Sequence, residues 1–161
     1  MQKNLCFYNI NSRYVSYMSM YAPHLFLNRQ KTQLHERKYV GIVLTINEFN
    51  YFVPLSSFKE KHKKMKQSVD FIKLKDYAVL NLNNMFPVPL SECTYVEISK
   101  EKDMHYRALL QAEYRSIKVI QEKIRKNAAN LYRLKINGPA SPLTKRCNDF
   151  VKLEELCRHY R

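Results

Sequence analysis

"YVGIVLTINEFNYFVPLSSFKEKHKKMK", residues 39–66, decides the fold. Two runs rich in β-branched and aromatic residues, 39–46 and 51–55, are separated by Asn47 to Asn50, a spacing suited to a hairpin. Proline cannot donate to a ladder, so Pro54 is expected at the edge or the end of its strand. Beyond it the chain becomes a cluster of cations. Ser56 and Ser57 are followed by Lys59 and His62, and only Glu60 offsets the five lysines Lys59, Lys61, Lys63, Lys64 and Lys66. A loop leaving a rigid strand end can present side chains for chemistry, although a Ser-Ser-x-Lys stretch is more often a polar turn.

On either side of the hairpin the same signals recur. Residues 5–10, 70–74, 78–82 and 94–98 read as further strands, joined by short turns into a mainly antiparallel sheet. Ser12 is placed to cap a short helix whose apolar face carries Tyr14, Val15 and Met18. The segment from Tyr21 to Arg37 has no clean period and reads as an ordered loop. From Asp103 the period changes: Tyr106, Leu110, Ile117, Ile120, Ile124, Ala128 and Leu131 recur at helical intervals, and Gly138-Pro139 stops the run. Asn127 to Asn130 are expected to divide this helical region in two. A last helix from Asn148 buries Phe150, Leu153, Cys157 and Tyr160. Strands first and helices later predict an α+β fold, a compact antiparallel sheet with helices packed against it, in one domain over residues 1–161.

The chain carries 28 Lys and Arg against 14 Asp and Glu, a formal charge of +14, which favours a polyanionic partner, nucleic acid first. No apolar run approaches the roughly 18 residues needed to span a bilayer, and the first 15 residues lack a secretory signal, so the expected location is the cytoplasm, away from membranes. Glycine occurs only at Gly41 and Gly138, too rarely for a GxGxxG or Walker A phosphate cradle. Cys6, Cys93, Cys147 and Cys157 form no CxxC pair and read as reduced thiols, and Cys147, Cys157 and His159 have no standard zinc spacing. No metal and no cofactor is expected.

Ser56 and Lys59 match the S-x-x-K spacing of penicillin-recognising enzymes, but the companion S-D-N and K-T-G motifs are missing, as is the G-x-S-x-G elbow of serine hydrolases. Phosphodiester chemistry suits the residues better. When an RNA 2′-OH attacks the adjacent phosphate, an enzyme need only orient the attack, move protons and neutralise charge growing on the non-bridging oxygens. A lysine serves that charge or transfers a proton, and serine hydroxyls bond a phosphate oxygen or the reacting hydroxyl. Lys61, Lys63, Lys64 and Lys66 suit RNA backbone contact, and His62 reads as a surface residue beside the site. Tyr14 and Asn81 are candidates for reading unstacked bases, with the core as the alternative for Tyr14.

"FYNINSRYV", "YVGIVLTINEFNYFVPLSSFKEKH", "LNLNNMFPVPL" and "CNDFVKLEELCRHY" together resemble, in order and spacing, the toxins of type III toxin-antitoxin systems, the ToxN and AbiQ family. The most specific part is V-G-I-V-L followed after a hairpin by P-L-[ST]-S-x-K. The resemblance implies a strongly twisted sheet similar to MazF and Kid. It also implies a metal-independent endoribonuclease that leaves a 2′,3′-cyclic phosphate and a 5′-hydroxyl. Such toxins are inhibited by a repeated pseudoknot RNA in closed toxin–RNA assemblies and act in phage abortive infection. By this resemblance Ser57 matches the essential serine, Ser56 its hydroxyl neighbour and Lys59 the site lysine. Arg37 stands where another lysine is expected; arginine keeps the charge but donates protons poorly, so its assigned role is phosphate binding. Gln33 stands where a site tyrosine is expected. The alternative is a non-catalytic basic RNA-binding module. A DNA-binding protein is disfavoured by the lack of a recognisable helix-turn-helix.

Overall fold

The hairpin at residues 39–57 is longer and tighter than its sequence suggests. In this computed structural model, which describes residues 3–25 and 35–161, β2 (Tyr39–Ile46) and β3 (Phe49–Ser57) pair antiparallel. They are joined through only Asn47 and Glu48, at φ 49° and 70°. Two left-handed residues match the twist of the flanking strands, and asparagine adopts that conformation readily. β3 therefore starts at Phe49, where a loop was expected.

Pro54 lies inside β3 and not at an edge, and the register explains why it is tolerated. Leu55 donates its N–H to the Lys38 carbonyl at 3.0 Å, so the neighbouring pair Tyr39 and Pro54 is a non-hydrogen-bonded one and the proline nitrogen points away from β2. On that other side β3 changes partner. Tyr51 and Phe52 pair with β6 (Phe86–Pro87), whereas Leu55 to Ser57 pair with β5 (Ala78–Asn81). The missing donor falls at the junction.

The rest of the sheet grows from this strand. β4 (Phe71–Leu74) pairs with β5, β1 (Cys6–Ile10) with β2, and β7 (Cys93–Tyr95) with β1, giving the order β4-β5-β3-β2-β1-β7 with β6 on β3, all antiparallel. Alternation along β3 sends Tyr51 and Val53 into one buried cluster and Phe52 into another. The first lies under α2 (Met104–Asn137), where Leu110, Ile117, Ile124, Ala128 and Leu131 form the buried stripe. The second holds Tyr14, Val15 and Met18 of α1 (Ser12–Ser19) with Leu153 of the last helix. Gly41 is required by the tightness of this second layer, because a Cβ there would lie 2.3 Å from a Phe52 ring carbon.

The helix boundaries depart from expectation in three places. Asn11, not Ser12, caps α1, its side chain accepting from the Arg13 N–H at 2.9 Å. α2 runs unbroken through Asn127 to Asn130; its single irregular residue is Ile120, at φ −113° and ψ 15°. After the short α3 (Pro142–Lys145), the final helix α4 (Phe150–His159) is capped by Asp149. Of the expected loop over 21–37, residues 26–34, with Gln33 among them, lie outside the described residues. No helix of the described residues is long and apolar enough to cross a membrane.

Two polar knots tie the layers together. Glu154 of α4 accepts from Tyr51 Oη of β3 at 2.5 Å and from Tyr132 Oη of α2 at 2.7 Å. Asp70 takes both Arg146 Nε, at 2.6 Å, and Nη2, at 3.0 Å, and also accepts from Ser68. Burial alone would raise the Asp70 carboxyl, but the bonds from Arg146 and Ser68 outweigh it and hold it below the usual carboxylate value.

Candidate active site

β3 outruns β2 by the residues that follow Pro54, and a cleft forms there. Continuing the register places Arg37 opposite Ser56, and Arg37 Nη1 donates to Ser56 Oγ at 3.1 Å and to the Leu55 carbonyl at 3.2 Å. Ser56 and Ser57 are held from the other side by Val79 and Ala78 of β5. The cleft has a volume of about 390 Å³ and is lined by Arg37, Lys38, Ser56, Ser57, Tyr77 and, from α2, Tyr106 and Glu113, with His35 at its rim.

Its rim is clasped by α2. Asp103 caps the helix, accepting from the backbone N–H groups of His105 and Tyr106, and its other oxygen lies 3.3 Å from His35 Nε2. The His35 ring in turn stacks on Tyr106, centroids 3.9 Å apart and planes 8° from parallel. Lys38 is buried beneath, its Nζ donating to the Glu36 carbonyl at 3.3 Å and lying 5.6 Å from the Tyr106 ring centre. Burial pushes the Lys38 ammonium below its ordinary value, with Glu36 and Glu101 opposing, and lowers Arg37 as well. Arginine stays cationic regardless; a lysine so placed becomes a workable proton donor. Glu113 is 3% exposed, and burial pushes its carboxyl up to about 7. The cleft thus gathers a fixed cation, a titratable cation, two hydroxyls and a carboxyl that changes charge near neutral pH.

The structure separates the sequence candidates. Arg37, Ser56 and Ser57 come together. Lys59 is exposed, two residues past the strand end, and is not among the lining residues. His62 corrects the expectation of a surface residue: it is 6% exposed, packed between Phe58 and Phe71. Its Nδ1 accepts from the Lys59 N–H at 2.8 Å and its own N–H donates to the Lys59 carbonyl at 2.9 Å, so it fixes the turn that carries Lys59. Burial first, then Lys61, Lys59 and Lys73, push the imidazole below its ordinary value. Tyr14 is corrected too. It is fully buried, donates to the Pro87 carbonyl at 2.5 Å and packs against Phe86 and Tyr160, leaving no face for a base. Asn81 ends β5 opposite Phe71, outside the cleft lining. Lys61, Lys63, Lys64 and Lys66 are exposed as expected, Lys63 bridging to Glu60 at 3.1 Å.

A family model for toxin ToxN of type III toxin-antitoxin systems matches residues 6–158. The chain belongs to that family. This toxin is 32% identical to endoribonuclease ToxN of Bacillus thuringiensis subsp. kurstaki over 96% of its own chain and 84% of that protein. A solved structure concerned with selective toxin inhibition by a non-coding RNA pseudoknot shares a TM-score of 0.84 at 31% identity, over 98% of both chains. The lactococcal anti-phage endoribonuclease AbiQ shares 0.85 at 27% identity, over 97% of each. The enzyme class expected from the sequence is the one for which these relatives are named.

Lys38 and Glu113 were not singled out from the sequence, and Tyr106 was read only as part of the apolar stripe of a helix. Glu113 left a trace there: it stands between Leu110 and Ile117 on the apolar stripe of a helix, where an acid is out of place. Lys38 left none beyond its adjacency to Arg37.

Proposed function

We propose that this toxin is a cytoplasmic endoribonuclease that cleaves single-stranded RNA without a metal ion, by 2′-OH attack on the neighbouring phosphate. Arg37 within the cleft, and Lys59 from the exposed turn beyond β3, neutralise the non-bridging oxygens, while Ser57 orients the reacting hydroxyl or the phosphate, with Ser56 held beside it by the guanidinium. Attack breaks the P–O5′ bond, leaving a 2′,3′-cyclic phosphate on one fragment and a 5′-hydroxyl on the other, so one proton must leave the 2′-oxygen and one must reach the 5′-oxygen. Glu113, pushed up to about 7 by burial, is a cleft group that exchanges a proton near neutral pH, and burial lowers the Lys38 ammonium from its ordinary value.

The observation that carries this reading is a cation and two hydroxyls converging at the end of β3 in a chain of the ToxN family. The reading extends to the rest of the biology: one toxin domain on a twisted sheet of the MazF and Kid kind, inhibition by a repeated pseudoknot RNA that occupies the same basic cleft, closed toxin–RNA assemblies, and abortive infection by phage. The test is a defined oligonucleotide incubated with the protein in EDTA. Fragments ending in cyclic phosphate and 5′-hydroxyl are expected. Intact RNA whose binding weakens steeply with salt would instead assign the chain to the non-catalytic RNA-binding class.

A further inference from the structure

Adjoining the cleft is a groove of about 490 Å³ that plays no part in the chemistry above. Its walls are Lys73, Lys75 and Tyr77 from β4 and the turn into β5, and Arg115, Val119 and Ile120 from α2. Tyr77 lines both hollows, so the groove and the cleft adjoin at that ring. Two backbone irregularities lie in its walls. Lys75 turns the chain at φ 53°, and Ile120 interrupts the helical geometry of α2. Beside that interruption Val119 is 86% exposed, an apolar side chain left in water among cations.

Among the described residues, neither Lys73, Lys75 nor Arg115 is paired with a carboxylate, and Asp76 of the same turn does not line the groove. An apolar floor with an aromatic wall under a cationic rim without carboxylate partners, Lys73 Nζ donating only to the Lys63 carbonyl at 3.4 Å, is complementary to one chemical unit above others: a planar base attached to a phosphate. Tyrosine and aliphatic side chains take the base face while lysine and arginine take the phosphate, a sequence-tolerant mode common to proteins that hold single-stranded RNA. An acidic protein segment would satisfy the rim but leave the gap beside Tyr77 unfilled.

We infer that the groove between the β4–β5 turn and the kink of α2 is a base-binding subsite for the substrate strand, holding a nucleotide that flanks the scissile linkage as the RNA leaves the cleft past Tyr77. This rests on the reading of the cleft as an RNA-cleaving site. Because the strand must cross Tyr77 to reach both hollows, the subsite serves to align the linkage over Ser57 and contributes affinity without contacting the reacting atoms.

The test is a cycle of binding measurements on the full chain carrying Ser57→Ala, which keeps the RNA intact. A single-stranded oligonucleotide is compared with a series in which one abasic nucleotide is walked along it, with and without Val119→Glu, a change at an exposed helical position. Val119→Glu is expected to weaken the intact oligonucleotide about tenfold, the scale of one stacked base. At one position flanking the cleavage point, the abasic nucleotide should cost a similar factor when Val119 is in place and nothing further when the Val119→Glu change is already present. Losses that multiply at every position, or a Val119→Glu protein that binds unchanged, overturn the subsite. A loss seen only with a folded pseudoknot RNA overturns its assignment to substrate. Cleavage by the unmodified chain is followed in parallel: binding with the expected cycle but no cleavage removes the nuclease reading and leaves the subsite, and no binding of any oligonucleotide removes both.

Discussion

Two buried glutamates beside the same core have opposite fates. Glu154, 8% exposed, is satisfied by two tyrosine hydroxyls contributed from a strand and a helix. Glu113, 3% exposed, has no hydrogen bond or ion pair among the described residues and borders the cleft. Burial is nearly equal, so burial does not separate architecture from chemistry. The partners do. A carboxylate whose lone pairs are filled by phenols is committed to holding elements together, whereas one left short of donors stands ready to exchange a proton or accept a bond from a bound molecule.

The sharpest attack on this contrast is Ser57→Ala at the cleft. Removing a hydroxyl at the reacting phosphate should lower cleavage about 10³-fold with unchanged antitoxin RNA affinity and thermal midpoint; full activity in the variant, read by product analysis, would take Ser57 out of the mechanism. Next comes the paired exchange of the two acids. Glu154→Leu leaves two buried phenols unpaired and should cost about 3 kcal/mol in urea unfolding. Glu113→Gln should go the other way. A carboxyl raised from 4.5 to about 7 by folding contributes its stabilisation fully below pH 4.5 and loses it as pH rises through about 7. The glutamine variant should therefore be about 1–3 kcal/mol more stable than the parent at pH 8 and match it at pH 4.5. If both substitutions destabilise equally at pH 8, the distinction between the acids fails.

Smaller effects refine it. His62 holds the Lys59 turn through a lone pair that protonation removes. Its lowered value means the neutral ring contributes fully above pH 6.5, and the contribution is lost as pH falls through the folded value. His62→Ala should slow cleavage about tenfold, leave RNA affinity intact and erase the acid limb of the rate profile; a variant that keeps that limb would show that another group causes it. Smallest of all, replacing Lys63, Lys64 or Lys66 by alanine should each weaken RNA binding a few-fold and lower the salt slope by about one, as measured in a salt titration.

The strands and helices were legible because their burial is periodic: Tyr51, Phe52 and Val53 alternate between layers, and Leu110, Ile117, Ile124 and Leu131 hold one stripe. What escaped is set by tertiary context. β6 is two residues long, and the change of partner from β6 to β5 is what leaves Pro54 room inside a strand, so no local signal announces either. Asparagines at 127 and 130 suggested a break that packing overrides, while the real irregularity falls at Ile120, an apolar residue that fits the helical period and carries no Gly or Pro signal. For the site, the adjacent hydroxyls and the arginine opposite them follow from hairpin register. The wall supplied by Tyr106 and Glu113 comes from a helix distant in the sequence, and only the folded chain brings it there.

α2 comprises 34 residues, so it measures about 50 Å along its axis, bent at Ile120. Along that single beam lie a cleft wall, a groove wall and the Tyr132 hydroxyl of the core knot. The inward stripe, Glu113 included, anchors it, leaving the exposed positions that face the two hollows, 109, 115 and 119, as replaceable panels. On the proposed function, substitutions at 109, 115 and 119 change what a bound RNA meets one helical turn at a time, with the buried stripe beneath undisturbed.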